Sequence, residues 1–262
     1  MISPAMRTPL FLFAFGLALG MPQRLLALDS YEACLALVQS DPAKALDEAR
    51  AWADGGGGPP ARHCGCLALE QAGHYAEAAQ CLEALAPGRG AGDRDTQAEI
   101  LAQAGNAWIL QHEGQKAYDA LSRALALTPD DPDMLFDRAR AAVLAEDFYA
   151  ARDDLDHVIP RAMGSLRLQA LILRSDAKRE LGDLTGARKD AEAAVNQQPD
   201  NAAAHVERGI DRYLQGDKSG GRGDWEEAVR LAPNTPAALD AQSLLQKDAQ
   251  GALPLPAPNP PR

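Results

Sequence analysis

The chain has 262 residues, of which 46% are apolar and only 5% aromatic, and a formal net charge of −11. That length suffices for one extended domain or two small ones with a sizeable core. The acidic balance, with no run of Lys/Arg longer than a couple of residues, argues against nucleic acid and anionic membrane surfaces as partners, because both need clustered cations.

The first element in chain order is a targeting segment. Arg7 precedes the apolar run "LFLFAFGLALG" (10–20), and "ALG" (18–20) places small residues at the −3 and −1 positions of a cleavage site. The run is shorter than the roughly 20 residues of a membrane span, and Pro22, Gln23 and Arg24 end it. A signal peptide over 1–20, with cleavage as late as residue 27, is expected. The alternative is an uncleaved N-terminal membrane anchor. Export places thiols in an oxidising compartment. All four cysteines, Cys34, Cys64, Cys66 and Cys81, fall in the first third of the mature chain and read as disulfide candidates.

From residue 26 onward the chain repeats itself. "GDLTGARKDAEAAVNQQPDN" (182–201) and "GDKSGGRGDWEEAVRLAPNT" (216–235) match at a spacing of 34. "EDFYAARDDLDHVI" (146–159), "GQKAYDALSRALALTPDD" (114–131), "GHYAEAAQCLEALA" (73–86) and "SDPAKALDEARAW" (40–52) share their shape. Each has a turn residue, a small residue, then apolar residues three and four apart, which is one face of an α-helix. The small residues are Ala45, Ala78, Ala117, Ala151, Ala187 and Gly221. Twelve residues before each lies another: Ala33, Cys66, Gly105, Ala139, Ser175 and Gly209. Two such columns let two helices cross at close range. Pro129, Pro199 and Pro233 close three of the units.

This pattern resembles the tetratricopeptide repeat, a 34-residue helix–turn–helix unit. The resemblance covers about residues 26–235 as six units: 26–58, 59–92, 98–131, 132–167, 168–201 and 202–235. The family's helix A aromatic is present only as Trp108, and Lys178 and Arg212 stand where the family often has Tyr. The expected fold is all-α, an α-solenoid of stacked repeats with a C-terminal capping helix at 236–249. There Leu239, Leu244 and Leu245 would cover the last unit. Residues 250–262 read as a disordered Pro-rich tail. The loops "DGGGGPP" (54–60) and "PGRGAGDRDT" (87–96) interrupt the stacking, and the first reads as a flexible linker.

The resemblance implies binding through a concave face lined by helix A. In this register that wall carries Asn106, Phe136, Arg140, Ile172, Asp176, Arg179 and Tyr213, with Val206 and Ile210 nearby. Arg and Asn would hold a peptide backbone or carboxylate, and the apolar members its side chains. Ile172, Val206 and Ile210 fit packing between repeats equally well. The register also bears on the cysteines. Residues i and i+2 of a helix lie about 200° apart, so Cys64 and Cys66 point to different neighbours. Cys66 faces the helix carrying Cys81, and Cys64 the preceding unit with Cys34. The expected bridges are Cys34–Cys64 and Cys66–Cys81.

Nothing in the sequence makes a case for an enzyme, a metal or a cofactor. His63, His74, His112, His157 and His205 form no H-x-x-x-H or H-E-x-x-H pair. There is no G-x-S-x-G or C-x-x-C-H. Asp130, Asp131 and Asp133 lack the glycine and distal Glu of a calcium loop and read as a helix N-cap. The expected protein is a periplasmic scaffold or adaptor for a protein or peptide partner. The alternative is a thiol-redox accessory protein using Cys64 and Cys66.

Overall fold

The computed structural model describes residues 30–88 and 90–253. The expected signal segment and most of the Pro-rich tail lie outside them. Thirteen α-helices follow one another among the described residues. They pair as α1 (Tyr31–Ser40) with α2 (Pro42–Trp52), α3 (Gly58–Gln71) with α4 (Tyr75–Leu85), and α5 (Arg94–Leu110) with α6 (Gly114–Leu127). The series continues with α7 (Pro132–Leu144) and α8 (Phe148–Val158), α9 (Gly164–Glu180) and α10 (Leu184–Gln197), and α11 (Ala202–Leu214) and α12 (Lys218–Leu231). Helix α13 (Pro236–Ala249) closes the array. Helices touch their immediate neighbours in the chain and, within the stack of first helices, the next but one. The molecule is therefore an all-α solenoid, in which each unit is stabilised only by those beside it.

Local chemistry sets the helix ends. Ser30, Asp41, Asp93, Asp131, Asp147, Asp183, Asn201, Asp217 and Thr235 each cap a helix N-terminus by accepting a backbone N–H two or three residues on. Pro42, Pro132 and Pro236 begin helices, where the missing N–H costs nothing. Five turns inside the pairs end on a left-handed residue: Gly73, Gly182 and Gly216, but also His112 at φ 61° and Glu146 at φ 60°. This conformation lets the next N–H groups reach back to the last carbonyls, as His74 N–H does to Leu69 O and Asp147 N–H to Ala142 O.

The small columns do the packing expected of them, with one exception. Ala45, Ala78, Ala117, Ala151 and Ala187 are fully buried, as are Cys66, Ala139 and Ser175. A Cβ on Gly209 would lie 2.5 Å from Trp225, and one on Gly221 would lie 2.7 Å from Gly209 O. Helices α11 and α12 could not cross so closely with larger residues. Ala33 is exposed, and Cys34 is the buried residue of α1. The core runs continuously from α3 to α11, with smaller clusters at the α1–α3 end and under α13.

Three details differ from the sequence reading. "DGGGGPP" is no loose linker: α2 continues through a wide helical turn, Ala53–Gly57, into α3, kinked at Gly56. The Trp52 indole packs over Gly57, where a Cβ would lie 2.5 Å from it. Helices α5 and α9 begin at Arg94 and Gly164, four residues before the expected units, so α9 takes in part of the stretch read as the end of the fourth. On α13 the buried residues are Ala238 and Ala241. Leu244 and Leu245 are half-buried and Leu239 is 56% exposed. No helix among the described residues is long and apolar enough to cross a membrane.

Candidate functional site

Stacking the pairs puts the first helices, α1, α3, α5, α7, α9 and α11, side by side along one wall. Three polar clusters bridge them. At the N-terminal end, His63 Nε2 donates to Gln103 Oε1 at 2.6 Å and His63 Nδ1 accepts from the Tyr31 hydroxyl at 2.5 Å. The carbonyl oxygen of Gln103 assigns the imidazole proton to Nε2. Burial pushes the Tyr31 hydroxyl above its ordinary pKa, so it remains a donor at neutral pH. This chain of three side chains ties α1, α3 and α5 together beside a cavity of about 360 Å³. Pro59, Pro60 and Ile100 give it apolar walls, while Glu99 and Thr96 add polar groups.

The second cluster joins α5 to α7. Asn106 donates to Asp137 Oδ2 at 2.7 Å, and Arg140 donates to Asp137 Oδ1 at 2.9 Å and to Asn106 Oδ1 at 3.4 Å. The third joins α9 to α11. Arg179 pairs with Asp176, with Glu207 at 2.7 Å and with Asp211 at 3.2 Å, and Ser175 donates to Asp211 at 2.8 Å. Three carboxylates thus surround one guanidinium whose side chain is 11% exposed. Burial pushes Glu207 up to about 7 against the pull of Arg179, and raises Asp211 too. Burial alone would lower Arg179, but the charges of Glu207, Asp176 and Asp211 hold it above its ordinary pKa.

The residues that the sequence placed on a binding wall are therefore largely occupied within the chain. Asn106, Arg140 and Arg179 serve as cross-repeat ties, and Asp176 pairs with Arg179 on its own helix. Phe136 is buried in the main core, and Ile172 is half-buried against it. Tyr213 stacks on Trp225 at 5.3 Å and donates to Asp248 on α13. It anchors the cap. The sequence reading missed Tyr31, His63 and Gln103 as a group, because His63 pairs with no other histidine at ligand spacing and its two partners lie 32 and 40 residues away.

It also missed a ladder. Arg138 grips Asp154, Arg174 grips Asp190 and Arg208 grips Asp224, each through two nitrogens and each across 16 residues. Lys178 joins Asp190 and Arg212 joins Asp224, both from 12 residues away. The carboxylates are almost wholly buried. A constant Arg-to-Asp spacing in three successive units was the available signal. It also accounts for Lys178 and Arg212 standing where the repeat family often has Tyr.

Cys34 is bonded to Cys64 and Cys66 to Cys81, and no cysteine among the described residues is free. Cys64 and Cys66 are fully buried and bonded to different partners, so the thiol-redox alternative finds no exposed thiol. Two such bridges form and persist in an oxidising compartment. No group of three or more His, Cys, Asp or Glu side chains among the described residues is arranged to hold a metal ion.

No protein-family model matches the sequence, and no curated protein matches it at a significant level. Solved structures do. A MamA crystal structure is 14% identical, with a TM-score of 0.54 over 63% of this chain and 93% of its own. A double mutant of MamA RS-1 is 16% identical, at 0.56 over 78% and 96%. The C-terminal part of a TPR repeat-containing protein from Cytophaga hutchinsonii is 11% identical, at 0.63 over 85% and 91%. At these identities the likeness is one of fold.

Proposed function

Starting from a tetratricopeptide-repeat fold, we propose that the chain is a periplasmic scaffold that binds a protein or peptide along its wall of first helices. The observation that carries this reading is the cavity beside Tyr31, His63 and Gln103. It combines proline and isoleucine walls with a few fixed polar groups, the usual composition of a recognition pocket. The hydrogen-bond chain and the neighbouring disulfide hold its walls in place before any partner arrives, which lowers the entropy lost on binding. The signal-like N-terminus and the two disulfides support that compartment. Of the sequence-derived wall residues, Arg140 keeps the most exposed guanidinium, at 41%, and extends the binding wall beyond the pocket.

The test is photo-crosslinking in the envelope fraction. A benzophenone amino acid at Glu99 or Gln103 should trap a partner that the same group at Met163, 84% exposed and remote in sequence from the pocket, does not. Arg140→Ala should weaken that capture without unfolding the chain. Equal trapping from all three positions would remove the wall as the binding surface.

A further inference from the structure

A second cavity, of about 380 Å³, lies between α2, α3 and α4. Leu46 and Ala49 line it from α2, Gly65 and Leu69 from α3, and Ala84 and Leu85 from α4. None of its twelve lining residues is acidic, in a chain whose net charge is −11. The charged groups it does have are Arg50 and Arg62, both exposed and hence at its mouth. Arg50 has only a loose surface contact, 3.9 Å to Asp47.

Two features keep the groove open. Cys66–Cys81 ties α3 to α4, so two of the three walls are covalently joined, and Cys34–Cys64 anchors α3 to α1 behind them. Gly65 is buried with no side chain, and a Cβ there would only reach ordinary contact with Ala49 at 3.7 Å and Leu46 at 3.9 Å. The floor is set deep by the missing side chain.

The lining also selects its occupant. An extended peptide would bring N–H groups that need acceptors. The groove offers no side-chain carboxylate, amide or hydroxyl to take them. A hydrocarbon chain makes no such demand. Its single polar requirement is a partner for a negative head group, which the arginines of the lining supply.

We propose that the groove between α2, α3 and α4 holds the hydrocarbon chain of a fatty carboxylate, with its head group met by Arg50 and Arg62. This site does not rest on the reading of the first-helix wall and stands or falls separately.

The test is calorimetric titration of palmitate, below its micelle concentration, into the full chain with both disulfides formed. Hexadecanol, of the same length without the charge, is the second probe. Palmitate should bind saturably at one per chain. Arg50→Gln with Arg62→Gln should weaken palmitate about tenfold, the effect of losing one charge-assisted contact, and leave hexadecanol unchanged. Ala84 is exposed, so Ala84→Trp can block the mouth while circular dichroism stays that of the wild type, and both probes should be lost. Absence of saturable palmitate binding overturns the proposal, as does palmitate binding that Ala84→Trp leaves intact. A dimer in sedimentation that Ala84→Trp dissociates gives the groove to a second copy of the chain and overturns it equally.

Discussion

Arg174 and Asp190 meet as a fork across α9 and α10, Nε to Oδ2 at 2.8 Å and Nη2 to Oδ1 at 2.7 Å. The side chain of Asp190 is 5% exposed. Arg138 and Asp154 make the same fork one unit earlier. Breaking a buried pair costs about 3–5 kcal/mol, because the remaining charge is stranded. Arg138→Met should cost that much. Arg174→Met should cost less, since Lys178 stays at 2.8 Å from Asp190. Arg152→Ala, which removes a surface pair with Asp153, should stay within about 0.5 kcal/mol. Urea unfolding midpoints of the three variants give the ranking, and equal midpoints would remove the ladder as a source of stability.

Glu207 introduces a pH dependence. Its folded pKa, pushed up to about 7, lies above the ordinary carboxylate value near 4.3. The folded chain therefore binds the extra proton. The stability associated with it is full below about pH 4, and it is lost as pH rises through 7. The whole loss is on the order of 3 kcal/mol. Asp176, Arg179 and Asp211 share the site, so the comparison must isolate one group. Glu207→Gln keeps an acceptor for Arg179 and should gain on the wild type steadily between pH 5 and 8 in urea titrations. Parallel pH profiles would show that Glu207 ionises normally.

The two disulfides should act locally. In the chain-entropy model the Cys34–Cys64 bridge, spanning 30 residues, contributes about 3–4 kcal/mol, and Cys66–Cys81, spanning 15, contributes about 3. Cys34→Ala with Cys64→Ala should loosen α1 and α2 in hydrogen exchange while α11 to α13 keep their protection, because coupling in a solenoid passes only between neighbours. Uniform loss of protection would contradict that. Peptide mapping without reduction should recover the same two pairs.

Glu146 holds a left-handed turn conformation at φ 60° that glycine holds at Gly182 and Gly216. It is exposed, so its side chain contributes little contact to lose. Glu146→Gly should raise stability by about 0.5–1 kcal/mol, the left-handed penalty less the entropy glycine costs in the unfolded chain. Gly182→Ala should lower it. Thermal unfolding of both variants checks the sign.

Much of the fold was legible because it depends on local periodicity. The 34-residue period, the small columns and the Asp caps belong to single helices and turns, and each is readable where it stands. Ala33 was misread because the first unit is short, and a one-position shift on a ten-residue helix turns another face inward. The "DGGGGPP" stretch looked flexible because glycine runs usually are. The Trp52 ring lying over Gly57 makes it helical. The wall residues show the same limit. Spacing places Arg140 and Arg179 on the helix face turned toward the groove. It does not say that Asn106, 34 residues earlier, or Glu207, 28 residues later, will take up their donors.

The sequence by itself determined a solenoid of helical pairs, and put Cys66 on the face turned toward the helix of Cys81, because helix geometry converts spacing directly into direction. Tertiary structure decided which side chains are free to meet a partner. Satisfying a buried charge depends on neighbours in adjacent repeats, and their distances are set only when the units stack. That stacking ties up Arg179 and leaves open cavities beside Tyr31, His63 and Gln103 and between α2 and α4.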